Sequence, residues 1–250
     1  MDIIFEDEAL AIEVVKAIHT GDVLSLKRML ADNPGLVTAR IVRRDYDEKC
    51  NRLGMSRTLL HVVTDWPGHF PSGAETVKLL VHAGAEVNAR FTGPHTETPL
   101  HWAASSDDIE VLDALLDAGA DIEAPGAVIA GGTPLDDAVA FAQWHAARRL
   151  VERGAQTKLW HASALGLMDR VKERCEGSKL PAPDEITEAF WLACHGGQLM
   201  AAEYLLEQGA NLNWIGYDEL TPLDTARRSS ADELVHWLGS RGARSASEMG

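Results

Sequence analysis

The chain has 250 residues, of which 38 are acidic and 23 are basic, so its formal net charge is −15 at pH 7. This balance argues against a nucleic-acid or anionic-membrane partner, because both bind basic patches. Hydrophobic residues make up 46% of the chain, which is enough for a sizeable core. We therefore expect a folded protein, and its acidic charge slightly favours a basic protein partner.

The cysteines and the first residues favour a cytoplasmic location. Cys50, Cys175 and Cys194 are few, unevenly spaced and without a Cys-x-x-Cys pair. This usage predicts reduced thiols rather than a disulfide framework or a zinc knuckle. Residues 1–15 carry acids where a signal peptide needs positive charge, and no apolar run is long enough for a membrane span.

Residues 9–40 predict a first helix pair. One short helix is expected over 12–19 and a second over 23–30, joined by a turn at Gly21.

Residues 41–57 then interrupt the helical pattern, because they are polar, carry both charge signs and show no apolar period. This insertion is either disordered or an ordered flap, since long loops in compact folds are often functional.

A second helix pair is predicted over residues 58–97. It begins at the sequence Thr58-Leu59-Leu60-His61, and its second helix stops at Gly84. Extra residues fall in the segment 65–73, between the two helices. Two prolines and two glycines make this segment a shaped turn rather than an extension of a helix.

Residues 98–132 form the most regular unit. Thr98 caps a helix that starts at Pro99, and Ala103 and Ala104 are small enough for a second helix to pack closely. Gly119 ends that second helix. The same interval separates Thr133 from Gly154 and Thr221 from Gly242, and each of the three units opens with Thr-Pro-Leu and closes on Gly-Ala.

The later units are predicted over 133–157, 158–187, 188–220 and 221–243, followed by a flexible tail over 244–250. The unit that starts at Lys158 has lost its Thr-Pro start, and the hairpin before it is missing. A Gly/Ser/Pro stretch over 177–183 separates it from the next unit. The internal period, although eroded here, is the signature of a repeat protein.

The sequence Thr98-Pro99-Leu100-His101-Trp102-Ala103 resembles the ankyrin-repeat signature Thr-Pro-Leu-His-x-Ala. The resemblance covers about residues 9–243. It implies an all-α ankyrin-type solenoid of about seven helix–turn–helix repeats with short hairpin connections. Residues 1–243 would form a single array, in which 9–40 and 221–243 serve as the capping repeats.

The resemblance also implies where partners dock. In ankyrin-like arrays the hairpin tips and first helices line a concave groove, and the two residues after the Ala-Ala pair commonly point into it. The resulting binding candidates are Asp65, Trp66, His69, Ser105, Ser106, Phe141 and His195. By contrast, the resemblance implies that the histidines of the starting motif are residues of the fold, which stabilise it rather than bind a partner. These are His61, His101 and His161. Trp102 and Trp160 are expected in the core.

A second hypothesis is a small-molecule-binding protein or an enzyme. The insertions 41–57 and 65–73 would enclose a pocket over the second and third repeats, with Asp65, His69 and Asp107 as acid–base candidates. Asp107 replaces the usual turn glycine, and aspartate tolerates the left-handed conformation expected there. The alternative is that the segment 65–73 only braces its turn and that His69 is solvated.

No cofactor or metal is predicted. A metal site built from Asp65, His69, His95 and Asp107 has no recognised ligand spacing. The leading hypothesis is therefore a cytoplasmic, monomeric protein–protein interaction module that binds an unidentified partner through its groove. A structural spacer without a dedicated site is a third possibility.

Overall fold

The computed structural model describes residues 3–44 and 54–249, and the central part of the 41–57 insertion lies outside these ranges. The described residues contain fourteen α-helices that follow one another as seven helix pairs. The predicted all-α class of helix–turn–helix repeats is confirmed. The chain divides into two compact units, 1–155 and 156–250. One continuous array over 1–243 stays a prediction.

The first unit contains four helix pairs and a small sheet. Its helices are α1 (Ala9–His19), α2 (Val23–Asp32), α3 (Leu59–Val63), α4 (Gly73–His82), α5 (Pro99–Ser105), α6 (Ile109–Asp117), α7 (Pro134–Ala140) and α8 (Trp144–Glu152). Its strands are β1 (Ile3–Phe5), β2 (Arg40–Val42) and β3 (Ser56–Arg57). First helices pack on first helices, α1 on α3, α3 on α5 and α5 on α7.

The second unit contains three helix pairs. Its helices are α9 (Leu159–Ala164), α10 (Met168–Glu176), α11 (Pro183–His195), α12 (Leu199–Glu207), α13 (Pro222–Arg228) and α14 (Asp232–Ser240), with short 3-10 turns at Tyr217–Glu219 and Ala246–Glu248. Phe190 on α11 is the largest fully buried side chain. It packs among small residues such as Ala162 and Ala202.

Six of the seven first helices in the described residues, all except α1, are capped by the third residue of their own first turn. The backbone N–H of Thr98 donates to Nδ1 of His101 over 3.1 Å, so the other ring nitrogen carries the proton and donates to the carbonyl of Gly132. His61 makes the same bonds to Thr58 and to the carbonyl of Glu97. His61 and His101 therefore tie neighbouring turns together, in keeping with the expectation that they are residues of the fold.

Aspartate replaces histidine in two repeats and performs the capping half of this role. The carboxylate of Asp136 accepts the backbone N–H of Thr133 at 2.6 Å and its hydroxyl at 2.7 Å. Asp224 accepts from Thr221 in the same way. Either residue can cap the helix because each places an acceptor beside the capping residue.

The ends of the second helices follow the predicted pattern. Five of the second helices, α4, α6, α8, α12 and α14, are followed by a glycine with φ between 86° and 106°, and these are Gly84, Gly119, Gly154, Gly209 and Gly242. This left-handed backbone ends a helix at little cost only where there is no Cβ.

Strands lie at the two ends of the 41–57 insertion, whereas the sequence predicted a polar segment without an apolar period. Strand β2 pairs in parallel with β1 (Ile4 with Ile41) and antiparallel with β3 (Val42 with Ser56). Ile41 and Val42 are buried, so the ends of the insertion belong to the folded unit. Strand β1 was not predicted.

The predicted boundary between the fifth and sixth repeats falls inside a helix. Helix α11 begins at Pro183, with the backbone N–H of Ala182 donating to the carboxylate of Glu185. The sixth repeat therefore starts before residue 188, because Pro183 and this capping contact start the helix earlier than the apolar pattern does. Within the described residues, no helix is long and apolar enough to cross a membrane.

Candidate functional site

The turns that follow the first helices of the first unit form a continuous edge. We call residues 64–73, 105–108 and 141–145 the turn surface. Neighbouring turns are bonded to each other, His69 to Ser106 and Asp107 to His145. Six of the seven predicted binding residues lie on this surface.

The inserted segment 65–73 is braced on both sides. Towards the third repeat, Nε2 of His69 lies 2.9 Å from the carbonyl oxygen of Ser106, and its backbone N–H donates to Asp108 over 2.7 Å. Towards the first repeat, the ring of Phe70 stacks on His19 with 4.1 Å between centroids. The bracing interpretation is therefore correct for the backbone, while the His69 ring, although exposed, has a hydrogen-bond partner.

Trp66 projects from this braced segment into solvent, with 84% of its surface exposed. The preceding Asp65 is ion-paired with Arg57 and accepts the backbone N–H of Trp66 over 3.1 Å. The backbone that carries the indole ring is thus held while the ring itself contacts little. A large, rigid apolar side chain held in this way is typical of an interface anchor.

The turn of the third repeat, residues 105–108, is organised by its aspartates. Asp107 has φ of 56°, as predicted for the residue that replaces a turn glycine. Its carboxylate accepts from the backbone N–H of Ala146 over 2.7 Å and contacts Nδ1 of His145 at 2.8 Å. Asp108 is buried and caps α6 through the N–H of Val111.

The remaining predicted contacts differ in accessibility. The Ser105 hydroxyl donates to the carbonyl of His101 over 2.9 Å. Phe141, which follows α7, is 44% exposed, as a docking residue requires. His195 is only 4% exposed because its ring stacks on Trp191 and faces Thr225, so its predicted place in an open groove is corrected.

The acid–base candidates do not form one group. Asp65 bonds to Arg57, His69 to Ser106, and Asp107 to His145. Among the described residues, no hydrogen bond joins any two of these three candidates. The described residues also contain no cluster of three or more His, Cys, Asp or Glu side chains that could hold a metal ion.

A cavity of about 380 Å³ does lie beside the sheet of the first unit. It is lined by Glu6, Ile41, Arg43, Met55, Arg57, Phe91 and Trp102. None of the acid–base candidates belongs to this lining. Trp102 was expected in the core, but it is partly exposed because one side of the ring faces this cavity.

Sequence reasoning missed a buried carboxyl in the fourth repeat. Asp137 is fully buried, its Oδ1 accepts the backbone N–H of Ile129 at 3.3 Å, and its Oδ2 has no hydrogen-bond partner among the described residues. Burial raises its pKa to about 7, and the nearby Glu97 and Asp136 carboxylates add to the rise. The consecutive acids Asp136-Asp137 in a first helix were the available signal.

Comparison with known proteins agrees with this architecture. The family model for ankyrin repeats (3 copies) matches residues 17–126 and 71–160, together more than half of the chain. An ankyrin repeat and KH domain-containing protein of Caenorhabditis briggsae is 31% identical over 185 residues, 70% of this chain. The ankyrin repeat and KH domain-containing protein mask-1 of Caenorhabditis elegans is 30% identical over 170 residues, 68% of this chain. The chain spans 7% and 6% of the lengths of these two relatives.

Proposed function

This chain belongs to the ankyrin-repeat family, and we propose that it binds a protein partner through the turn surface of its first unit. Ankyrin repeats generally mediate protein–protein interactions. The observation that carries the proposal is the exposed Trp66 indole on a segment braced by neighbouring repeats. Because the backbone is already ordered, docking onto Trp66 costs little conformational entropy.

The rest of the turn surface supports the same role. Phe141 supplies a second exposed aromatic ring, and the polar groups of residues 105–108 between the two rings are bonded within the unit. A partner can therefore cover this surface without leaving many buried polar groups unpaired. The net charge of −15 favours a partner with a basic docking face.

We propose a cytoplasmic location and a monomeric state as part of this function. Cys175 and Cys194 are buried free thiols, as in proteins of reducing compartments. The small-molecule alternative has weaker support, because its candidate acid–base side chains are bonded to separate partners.

The test compares two variants that each remove one exposed apolar side chain. Proteins retained by the immobilised chain are identified by mass spectrometry, and the affinity of the purified partner is measured. Trp66→Ala is expected to weaken binding about tenfold or more, since truncating an anchor residue costs about 2 kcal/mol. Met200→Ala removes a side chain that is 68% exposed on α12 and should leave the affinity within about twofold. Unchanged binding by a folded Trp66→Ala chain would overturn the proposal.

A further inference from the structure

Two aromatic rings line the cavity of about 380 Å³ beside the small sheet of the first unit, which we call the sheet cavity. The rings of Trp102 and Phe91 lie 5.2 Å apart between centroids, at an interplanar angle of 55°. Trp102 is partly exposed here, as Trp160 is in the second unit, although the sequence predicted both in the core. A partly exposed indole beside a second ring is a surface on which another aromatic ring can stack.

The Trp102 ring is held in place by neighbouring residues of the first unit. The buried ring of His61 meets it edge to face, with 4.9 Å between centroids. His61 is itself bonded to the carbonyl oxygen of Glu97 over 3.1 Å, and the carboxyl group of Glu97 accepts a hydrogen bond from the Trp102 side chain. The indole is therefore already ordered, so a ligand that stacks on it loses little free energy to ordering the site.

Backbone hydrogen bonds hold the part of the lining that comes from the sheet. The N–H of Arg43 donates to the carbonyl of Met55 over 3.1 Å, which continues the pairing of β2 with β3. The N–H of Ser56 donates to the carbonyl of Thr92 over 2.9 Å and joins β3 to the segment next to the aromatic rings. Ile41 on β2 and Met55 add apolar side chains to the lining. The cavity is thus largely preformed, as ligand sites usually are.

The charged groups of the lining are paired within the unit. Nε of Arg43 lies 3.6 Å from the carboxylate of Glu6, and both side chains are exposed. Arg57 is ion-paired with Asp65, which lies outside the lining. Two guanidinium groups and two carboxylates leave no net charge at the cavity. A charged ligand would therefore lose hydration without a net electrostatic gain.

We propose that the sheet cavity binds a small, neutral aromatic molecule of two fused rings. Apolar protein cavities of about 150 Å³ hold benzene. The sheet cavity, at about 380 Å³, therefore has room for a second ring and a short substituent. The ligand stacks on Trp102, and its edges contact Ile41 and Met55. The inference concerns binding rather than turnover, and it does not depend on the turn surface, because neither Trp66 nor Phe141 lines this cavity.

The experiment titrates the full chain with 2-naphthol, which carries no charge at neutral pH, and measures its affinity by isothermal titration calorimetry. Met55→Ala removes an exposed apolar side chain from the lining and is expected to weaken binding about fivefold or more. Met200→Ala makes the same change on α12 of the second unit, and its affinity should stay within about twofold of the original. Phe91→Leu keeps an apolar side chain but removes one aromatic ring, and it should also weaken binding.

Three analogues separate the parts of the proposal. The anion 2-naphthoate and the cation 2-naphthylmethylamine keep the two rings but add a charge, and each should bind about tenfold more weakly or worse. Decahydro-2-naphthol has the same skeleton without aromatic faces and should bind about fivefold more weakly. The proposal is overturned if 2-naphthol does not bind the folded chain, or if any of the three analogues binds as tightly. It is also overturned if Met200→Ala reduces affinity as much as Met55→Ala does. Because Met55 and Met200 are exposed, circular dichroism should show the same helix content for both variants.

Discussion

Nε2 of His69 lies 2.9 Å from the carbonyl oxygen of Ser106, and this contact bonds the inserted turn of the second repeat to the turn of the third. Gly68 makes the close approach possible, since a Cβ there would lie 2.8 Å from Cβ of Ser106 and its φ is 74°. The segment that carries Trp66 is thus an ordered part of the first unit rather than a loose loop.

Removing this contact should loosen the inserted turn. His69→Ala loses one largely exposed hydrogen bond, so we expect the free energy of unfolding to fall by about 0.5–1.5 kcal/mol. Urea denaturation of the purified chain measures the change. His82→Ala is the matched control, because His82 is exposed and has no hydrogen-bond partner among the described residues, and it should change stability by less than about 0.5 kcal/mol. Equal losses for both variants would contradict the bracing role.

The buried His61 should be far more important for folding. His61→Ala removes the acceptor for the N–H of Thr58 and the donor to the carbonyl of Glu97, and we expect a loss of about 2–4 kcal/mol. His61→Asn keeps an acceptor near Thr58 and should recover part of that loss. Chemical denaturation distinguishes the two variants, and identical losses would show that packing, rather than the bonds, accounts for the effect.

Two of the buried histidines, His61 and His101, should make stability fall at acidic pH. Burial lowers the pKa of His61 to about 3 and that of His101 to about 4, from an ordinary value of 6.5. Their contribution is fully present above pH 6.5, because both states are then neutral. As the pH falls from 6.5 towards 3, the unfolded chain takes up protons that the folded chain does not, and folding weakens. Denaturation midpoints of the His61→Asn chain should fall less steeply over this range.

Asp137 should produce the opposite dependence. Burial raises its pKa to about 7 from 3.8, so the folded chain holds a proton that the unfolded chain releases. This contribution is fully present below pH 3.8 and is lost as the pH rises to 7, by up to about 4 kcal/mol. Asp137→Asn should remove it, so the stability difference between variant and original should grow from pH 4 to 7. Asp169→Asn, at an exposed site, should show no such trend, and a flat difference for Asp137→Asn would contradict the prediction.

Cys194 should be inert in the folded chain. Its thiol is fully buried on α11, and burial raises its pKa well above the ordinary range, so little thiolate forms. Iodoacetamide labelling followed by peptide mass spectrometry should modify Cys194 only after denaturant is added. Rapid labelling of Cys194 in the native chain would show that α11 opens readily.

The repeat architecture could be predicted because its signals are local. Thr98 and Pro99 start a helix, Gly119 ends one, and Asp107 takes the left-handed backbone, whatever lies far away in the chain. The positions of Trp66 and Phe141 after their helices followed from the same repeat pattern. Short-range backbone preferences and helical periodicity were sufficient for these predictions.

Contacts between distant residues were beyond that kind of reasoning. The pairing of Ile4 with Ile41, the contact of His195 with Thr225 and the stacking of Phe70 on His19 each depend on how separate elements pack. A helical pattern says which face of a helix is apolar, but it does not say which residue of another element covers that face. Pairing, burial and cavity shape were therefore decided only by the tertiary structure, because they arise from close contacts between residues far apart in the chain.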